Sequence, residues 1–580
     1  MAVVRYDNLL SRTDALGNTA EFTWDEGGNL VAVRQPDGAT STMEYNELNL
    51  PVRSTGPDGT VWQQRYDERG NRVSLTAPDD SSSSYRIGVH GEVTERVDPT
   101  GASEHLTYDR AGVVLTLTDP IGHQYETRRD SFGRPVRMSD PAGAVTLMEW
   151  SPHGWLSRCV RPDGTEESWS WDDEGNCLAH TDPRGDTTRF EYTHFSLLAA
   201  RIGADGARYE FDYDNELRLT KVRNPHSLTW SYSYDAAGNL VSETDFDSRT
   251  HAYTYDAAGR LTDRITPLGE HIVLTYDAGG RVISKDAAGQ ITRYTYDAAG
   301  ELRAATSPTS TVTWERDTNG RVIAETVDGR TIRFSHDQAG RTTRRITPTG
   351  VISELTYDSA GNRTTLHTGG RTLAFTRDPR GRERTRTVGT GPAPLTLTSG
   401  WDRAGRLATR TVASGEQELR SWSYEYREDG FLTKITDTVA ATAKRFELDP
   451  VGRPVRVTAE NWSETYAYDR VGNQTEGSWP DQARRPDERG ARIYEGTRLR
   501  SAGSVRCAYD AAGRIIARHK ARPSRKPDVW KYTWDAEDRL ISCRTPDGAL
   551  WQYSYDPLGR RTAKYQVDED GIVVHSVHFT

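Results

Sequence analysis

The chain has 580 residues with 74 Lys+Arg against 84 Asp+Glu, a net charge of -10, 35% apolar residues and a mean hydropathy of -0.75. That composition is too polar for a thick aliphatic core, and no apolar run approaches the ~18 residues that a membrane-spanning helix needs. Four cysteines, Cys159, Cys177, Cys507 and Cys543, fit neither a disulfide framework nor a zinc pattern. Aromatics carry much of the burial instead, with 27 Tyr and 15 Trp beside 11 Phe, which suits a surface apolar on the ring and wet at the tip.

The opening Met1-Ala2-Val3-Val4-Arg5-Tyr6-Asp7 has no signal-peptide character. From Trp24 onward the chain repeats every 21 residues, with anchors at Trp24, Tyr45, Tyr66, Ile87, Tyr108, Arg129, Trp150, Trp171, Tyr192, Tyr213, Tyr234, Tyr255 and Tyr276. The period then loosens through Tyr296, Arg316, His336, Tyr357, Arg377, Trp401, Tyr426, Leu448, Tyr468, Tyr509, Trp534 and Tyr555. With Tyr6 in front, about 26 units fill nearly the whole chain, a repeat architecture with no room for an ordinary catalytic domain.

One unit reads as a β-hairpin. In Thr250 to Gly269, Tyr253 and Tyr255 alternate with Thr254 and share a face, Asp256 to Gly259 turns, Leu261 to Thr266 returns, and Pro267-Leu268-Gly269 turns again. The motif recurs as Tyr66/Asp67/Gly70, Tyr108/Asp109/Gly112, Tyr234/Asp235/Gly238, Tyr255/Asp256/Gly259, Tyr276/Asp277/Gly280, Tyr296/Asp297/Gly300, Tyr357/Asp358/Gly361, Tyr468/Asp469/Gly472, Tyr509/Asp510/Gly513 and Tyr555/Asp556/Gly559. Asp opening a type I turn accepts turn amides, and Gly at the fourth place takes the positive φ of a G1 bulge. These are structural assignments. Calcium is not expected, because each Asp recurs once per hairpin and not in a short clustered repeat.

A second turn per unit is marked by Pro/Asp-x-Gly elements such as Pro36-Asp37-Gly38, Pro162-Asp163-Gly164 and Pro183-Arg184-Gly185. Two strands per unit give about 52 antiparallel strands at ~4.8 Å spacing, a ribbon of roughly 250 Å. Such a ribbon twists and has one face to cover. The predicted fold is therefore all-β, a hairpin ribbon spiralling into a hollow shell or part of one.

The regular tract is expected over 1–477, a loop-rich interruption over 478–508 and terminal repeats over 509–580. Ser478 to Gly490 reads as an exposed polar loop, with a short strand pair around Tyr494 and Val505. Arg518 to Pro527 is strongly basic, yet a hairpin tip in water explains it as well as nucleic acid would, and nucleic acid is not expected. Charge is uneven: residues 1–290 hold 28 Lys+Arg and 46 Asp+Glu, net -18, and residues 291–580 hold 46 and 38, net +8. This asymmetry would order a folded-back ribbon or a cargo, although uneven solvated surface charge is the simpler account.

No nucleophile elbow, metalloprotease helix, P-loop or dinucleotide fingerprint is present. The 14 His are scattered, with His336 in the Tyr slot of its unit. The acid runs Glu166/Glu167 and Asp172/Asp173/Glu174 are what chance gives in so acidic a half. No catalytic, cofactor or metal residue is assigned.

The repeated Tyr-Asp-x-x-Gly-Arg-Leu motif, with the terminal Trp534-Asp535-Ala536-Glu537-Asp538-Arg539-Leu540 and Tyr555-Asp556-Pro557-Leu558-Gly559-Arg560-Arg561, resembles the Rhs/YD-repeat proteins over essentially the whole chain. The resemblance implies a ribbon wound into a shell around a C-terminal toxin, the fold shared with teneurins and insecticidal toxin complexes. Family members usually continue into a self-cleaving segment and a variable toxin, and the chain stops short of both at Val577-His578-Phe579-Thr580. The resemblance thus implies a non-catalytic wall with a toxin polypeptide as partner, in cis or in trans. A secretion apparatus or shell-completing chain is a further partner, with a cytoplasmic stage before delivery outside the cell. The alternative is a cell-surface carbohydrate-binding or adhesion protein.

Overall fold

The computed structural model describes residues 2–5, 8–389, 391, 393–480 and 486–579. The anchor Tyr6 and the loop residues Asp481 to Arg485 lie outside the described residues. Within them run 55 strands and one 3-10 turn, Pro486–Glu488. Every strand is hydrogen-bonded antiparallel to the strands before and after it, in one continuous meander.

The three strands beyond the repeat count are Gly490–Glu495, Arg498–Ala502 and the terminal Val573–His578. The first two correct the reading of 478–508, because the sheet continues through it. Tyr494 and Val505 do not pair with each other: Tyr494 faces Leu499 and Val505 faces Ala502, both on the strand between them. The basic stretch forms the hairpin of Ile515–Arg522 and Arg525–Trp534. Several of its cations are partnered, Arg518 by Glu488, Lys520 by Asp487 and Arg522 by Asp528.

The hairpin of Thr250–Tyr255 and Leu261–Ile265 shows why the unit folds as it does. The Asp256 amide donates to the Arg260 carbonyl at 2.9 Å and the Gly259 amide to the Asp256 carbonyl at 3.0 Å. The Asp256 carboxylate accepts the amides of Ala258 and Arg260 at 2.9 and 3.0 Å. Gly259 takes φ +77°, open to glycine without a Cβ penalty. Tyr255 then pairs with Leu261 after a register shift that Thr254 and Asp263 do not share. This bulge recurs beside the Asp-x-x-Gly turns and is absent from the second turn of most units, as where Arg264 pairs with Ile272 and Ile265 with His271 in step; the links after Leu407–Ser414, Ile515–Arg522 and Arg561–Val567 are exceptions. A bulge bends its strand and increases local twist. Repeated along one margin of the ribbon, the bend accumulates in one direction.

The ribbon consequently coils. Its two margins are a motif rim, made of the Asp-x-x-Gly turns, and a linker rim, made of the second turns. Asp37, in the turn after the strand Leu30–Arg34, meets Arg281, in the turn after His271–Tyr276, which is 23 strands later. The same step of 23 separates Asp79 from Arg321, Asp163 from Arg406, Asp205 from Arg453 and Asp247 from Thr497. Because 23 is odd, the linker rim of one coil always meets the motif rim of the next. The 55 strands make rather more than two coils, each about 110 Å around at ~4.8 Å per strand and thus at least about 35 Å across.

Fully buried apolar residues are few and mostly small, as with Ala200, Ala305 and Val312 at 0% exposure. Local stability therefore rests on turns and on half-buried aromatics. Replacing Gly259 by Ala places a Cβ in a positive-φ turn and is expected to cost about 1–2 kcal/mol. Tyr255→Phe, which deletes a hydroxyl bond to the Leu240 carbonyl, is expected to cost about 1 kcal/mol. Hydrogen exchange across residues 240–265 of the full chain measures both, and unchanged protection in Gly259→Ala would exclude the turn as the local anchor.

Candidate functional site: the seam between coils

The motif residues converge on one job. All ten predicted tyrosines donate their hydroxyl to a carbonyl on the preceding hairpin: Tyr66 to Pro51, Tyr108 to Val93, Tyr234 to Leu219, Tyr255 to Leu240, Tyr276 to Leu261, Tyr296 to Val282, Tyr357 to Thr342, Tyr468 to Pro454, Tyr509 to Leu499 and Tyr555 to Leu540, at 2.6–3.1 Å. Each predicted Asp receives the amide four residues on: Asp67 from Asn71, Asp109 from Val113, Asp235 from Asn239, Asp256 from Arg260, Asp277 from Arg281, Asp297 from Glu301, Asp358 from Asn362, Asp469 from Asn473, Asp510 from Arg514 and Asp556 from Arg560. The predicted glycines all have positive φ, namely Gly70 +84°, Gly112 +77°, Gly238 +88°, Gly259 +77°, Gly280 +84°, Gly300 +87°, Gly361 +82°, Gly472 +91°, Gly513 +82° and Gly559 +81°.

Backbone geometry does not account for all of these residues, and here the structure corrects the purely local reading. A Cβ on Gly70 would press on Leu50 at 3.3 Å, and one on Gly300 would press on Arg281 at 3.2 Å. A Cβ on Gly238, Gly280 or Gly361 would touch Arg218, Arg260 or Arg341 of the previous repeat at 3.8–3.9 Å, and one on Gly513 would collide with Arg249 of the preceding coil. Asp358 and Asp510 likewise differ from simple turn-amide acceptors: the Asp358 carbonyl accepts from Arg341 at 3.3 Å, and the Asp510 carboxylate holds the Arg514 guanidinium at 2.8 Å. The turns are thus seats for side chains from neighbouring units. Among the described residues, no three His, Cys, Asp or Glu side chains gather as a metal site would require, and no helix is long and apolar enough to cross a membrane.

The residue to which the sequence motif assigned no role is the arginine after the motif glycine. Arg281 binds Asp277 of its own turn at 2.7 Å, lies 5.0 Å from the Tyr296 ring centroid of the next repeat, and reaches Asp37 of the preceding coil at 2.7 Å. Arg406 repeats the arrangement with Asp402, Tyr426 and Asp163, and Arg453 with Asp449, Tyr468 and Asp205. One guanidinium thus clamps its turn, covers the neighbouring aromatic by cation–π attraction and ties two coils together through its planar fork of donors.

Many seats of the seam are charge-matched. Asp79 meets Arg321 at 3.0 Å and Asp140 pairs with Arg380. Asp14 and Asp98 lie in the fields of Arg260 and Arg341. Where the linker rim carries a basic group, the opposite turn supplies an acid: His226 lies 3.7 Å from Asp469, and Arg184 interacts with Asp429. The turns of Asp469 and Asp429 carry Asn473 and Phe431 where most of the others carry arginine. The next seam pairs Lys285 with Glu537 and buries Ile272, Ala287 and Ala536 together. The charge asymmetry between the halves is thereby explained in part: acids of the first coil face arginines of the second, so the reading as mere uneven surface charge is corrected.

Two expected outcomes test the seam. Burial works to raise the Asp79 carboxyl, but hydrogen bonds from Ser81 and Asn319 and the charge of Arg321 outweigh it and hold it at about 2. Its stabilising contribution is complete above the ordinary carboxylate range, near pH 4, and is lost as pH falls through about 2. X-ray scattering should show coils that hold at pH 5 and loosen toward pH 2, with the onset moved to higher pH in Arg321→Gln. Reversing one pair is the second test. Asp163→Arg or Arg406→Asp alone should weaken exchange protection at the seam by about 1 kcal/mol or more, and the double reversal should restore most of it.

Comparison with known proteins agrees with this geometry. The RHS Repeat family matches at residues 5–40, 45–82, 171–208, 213–250, 276–312 and 534–572. The probable deoxyribonuclease RhsA of Dickeya dadantii (strain 3937) is 32% identical over 211 residues, 34% of this chain and 13% of that protein. The double-stranded DNA deaminase toxin A of Burkholderia cenocepacia (strain H111) is 30% identical over 202 residues, 33% of this chain and 13% of that protein. The matches therefore span only a small part of these relatives. Among solved structures, TcdB2-TccC3 aligns with 98% of this chain and 39% of its own at a TM-score of 0.74 and 13% identity. The Tc holotoxin pore of Photorhabdus luminescens aligns with 96% of this chain and 40% of its own at 0.71 and 13%. Six stretches of this chain thus match the RHS Repeat family, and its spiralling antiparallel sheet has the fold of these solved structures.

Proposed function

We propose that this chain is the non-catalytic wall of a shell that encloses a toxic polypeptide and takes part in its delivery outside the producing cell. The observation that carries this reading is the recurring step of 23 strands with its acid–arginine pairs: it stacks the ribbon rim to rim around an interior. The printed names of two relatives, a probable deoxyribonuclease and a DNA deaminase toxin, support a toxin as the cargo class. In this reading the cargo is supplied in cis or by a separate chain. A spiralling antiparallel wall separates such a cargo from the cytoplasm before export. A shell-completing chain or secretion apparatus is the further partner this role calls for.

The carbohydrate-binding alternative is less well supported by the aromatic geometry. Tyr234, Tyr276, Tyr357, Tyr426 and Tyr468 each carry an arginine 4.7–5.1 Å from the ring centroid, so one face of each ring is occupied within the wall itself.

Electron microscopy of the purified chain should show a hollow body with striped walls. A fusion carrying a protease-sensitive polypeptide behind Thr580 tests confinement. Trypsin should cut the fused segment at least tenfold more slowly in the parent wall than in the seam variant Arg321→Ala/Arg406→Ala/Arg453→Ala. Equal cleavage of the two, or a string of separate compact lobes in the images, would overturn the shell reading.

A further inference from the structure

Among the described strands, only two joints of the sheet carry fewer than three facing residue pairs, and they flank a single hairpin, Gly490–Glu495 with Arg498–Ala502. On one side Gly490 and Ala491 face Gly477 and Glu476; on the other Ser501 and Ala502 face Arg506 and Val505. All four of these hairpin residues stand at its open end, where the chain enters and leaves. Over residues 492–500 the two strands are paired within the hairpin, as Tyr494 with Leu499 and Glu495 with Arg498, and with neither neighbour. The open end itself is firmly seated. Gly503 lies so close to the backbones of Asp487 and Arg489 that no Cβ would fit, and the Ser504 amide donates to the Asp487 carbonyl at 2.8 Å.

The tip of the hairpin is held by a buried side chain of an earlier coil. Asp247, with 1% of its side chain exposed, accepts the Thr497 amide at 2.8 Å and the Thr497 hydroxyl at 2.5 Å, and the Arg498 guanidinium lies 3.9 Å away. Gly496 lets the tip come this close, because a Cβ there would collide with the Asp247 carboxylate. Between tip and open end, side chains supply the ties that the ladder does not. The Tyr509 hydroxyl donates to the Leu499 carbonyl at 2.8 Å, Arg498 lies 5.8 Å from the Tyr509 ring centroid, and Arg492 donates to Gln474. A hairpin seated at its open end, held at its tip and unpaired along both flanks can lift while the ladder on either side stays whole. Local openings of this kind lie well below global unfolding in free energy.

We infer that residues 492–500 form a flap in the wall, which pivots at the open end of the hairpin and is latched by Asp247. Lifting the flap leaves the strands Gln474–Ser478 and Val505–Tyr509 in place, three strand spacings or about 14 Å apart. A slot of that width admits an extended chain or a single helix of about 10–12 Å diameter and holds back a folded domain. The inference concerns the wall alone and holds whatever the wall encloses.

Hydrogen exchange of the full chain tests the flap, because a two-stranded hairpin standing alone is marginal in water and its amides exchange once it lifts. Asp247→Ala removes the latch from the side of the earlier coil, and Gly496→Ala drives the tip off it from the side of the flap. In both variants the amides of residues 492–500 should exchange at least tenfold faster than in the parent, while those of 462–478 and 505–522 stay within twofold. A folded variant without this acceleration, or an equal acceleration of the flanking strands, overturns the flap. Circular dichroism decides which variants are folded, and if one has lost its sheet signal the other is read. Loss of the signal in both would show that the Asp247 contact holds the whole wall together, which overturns the flap as well.

Discussion

The turn closed by an aspartate carboxylate and a positive-φ glycine is the constraint from which the rest of the molecule follows. It fixes the hairpin register through two backbone bonds, as between Asp256 and Arg260 and between Gly259 and Asp256, and it leaves the bulge beside Tyr255 on one margin of the ribbon. A bend that is always on the same side makes a coil, and a coil that closes on itself after 23 strands brings unlike rims together. Curvature, stacking and seam chemistry all descend from a five-residue segment.

The energetic consequence is a wall rather than a core. Sheets normally bury one face against another layer, but here the buried apolar residues are small and scattered, and the aromatic face is closed by its own repeats. In many units a tyrosine hydroxyl, or a Trp or Arg N–H in its place, ties the hairpin to the one before it, and over several of the rings lies an arginine. Stability is then largely a sum of nearest-neighbour terms, as in other repeat proteins, with the seam adding contacts roughly 240 residues apart, such as Arg321 with Asp79.

Much of this was legible in the residues. The 21-residue spacing predicted hairpins, Asp256 and Gly259 predicted the turn, and Tyr253 with Tyr255 predicted the shared face, because each depends on contacts within a few residues. The interruption was less legible: Arg498–Ala502 lacks an aromatic anchor and a motif turn, yet it pairs as a strand because the neighbouring edge offers unmatched backbone groups. The seam was harder still. Gly513 reads locally as a turn glycine, and only the stacked coils show that Arg249 takes up the space beside it. Asp37 and Arg281 were each visible as turn residues, but the number of strands per coil depends on accumulated curvature, which no local pattern states. The one available signal was the opposite charge of the two halves, and only the coil step converts it into specific pairs.

The odd coil step carries an evolutionary consequence. A 21-residue unit contributes two strands, so gain or loss of one whole repeat leaves the hydrogen-bond ladder intact and keeps every later turn on its own rim. It nevertheless slides every downstream arginine by one seat, bringing Arg406 away from Asp163 and setting like against like at the places where Arg184 and His226 reverse the usual order. Local architecture tolerates recombination of repeats, whereas the long-range charge match resists it. Repeat number upstream of a seam is thus heritable information, held in place by residues far away in the sequence.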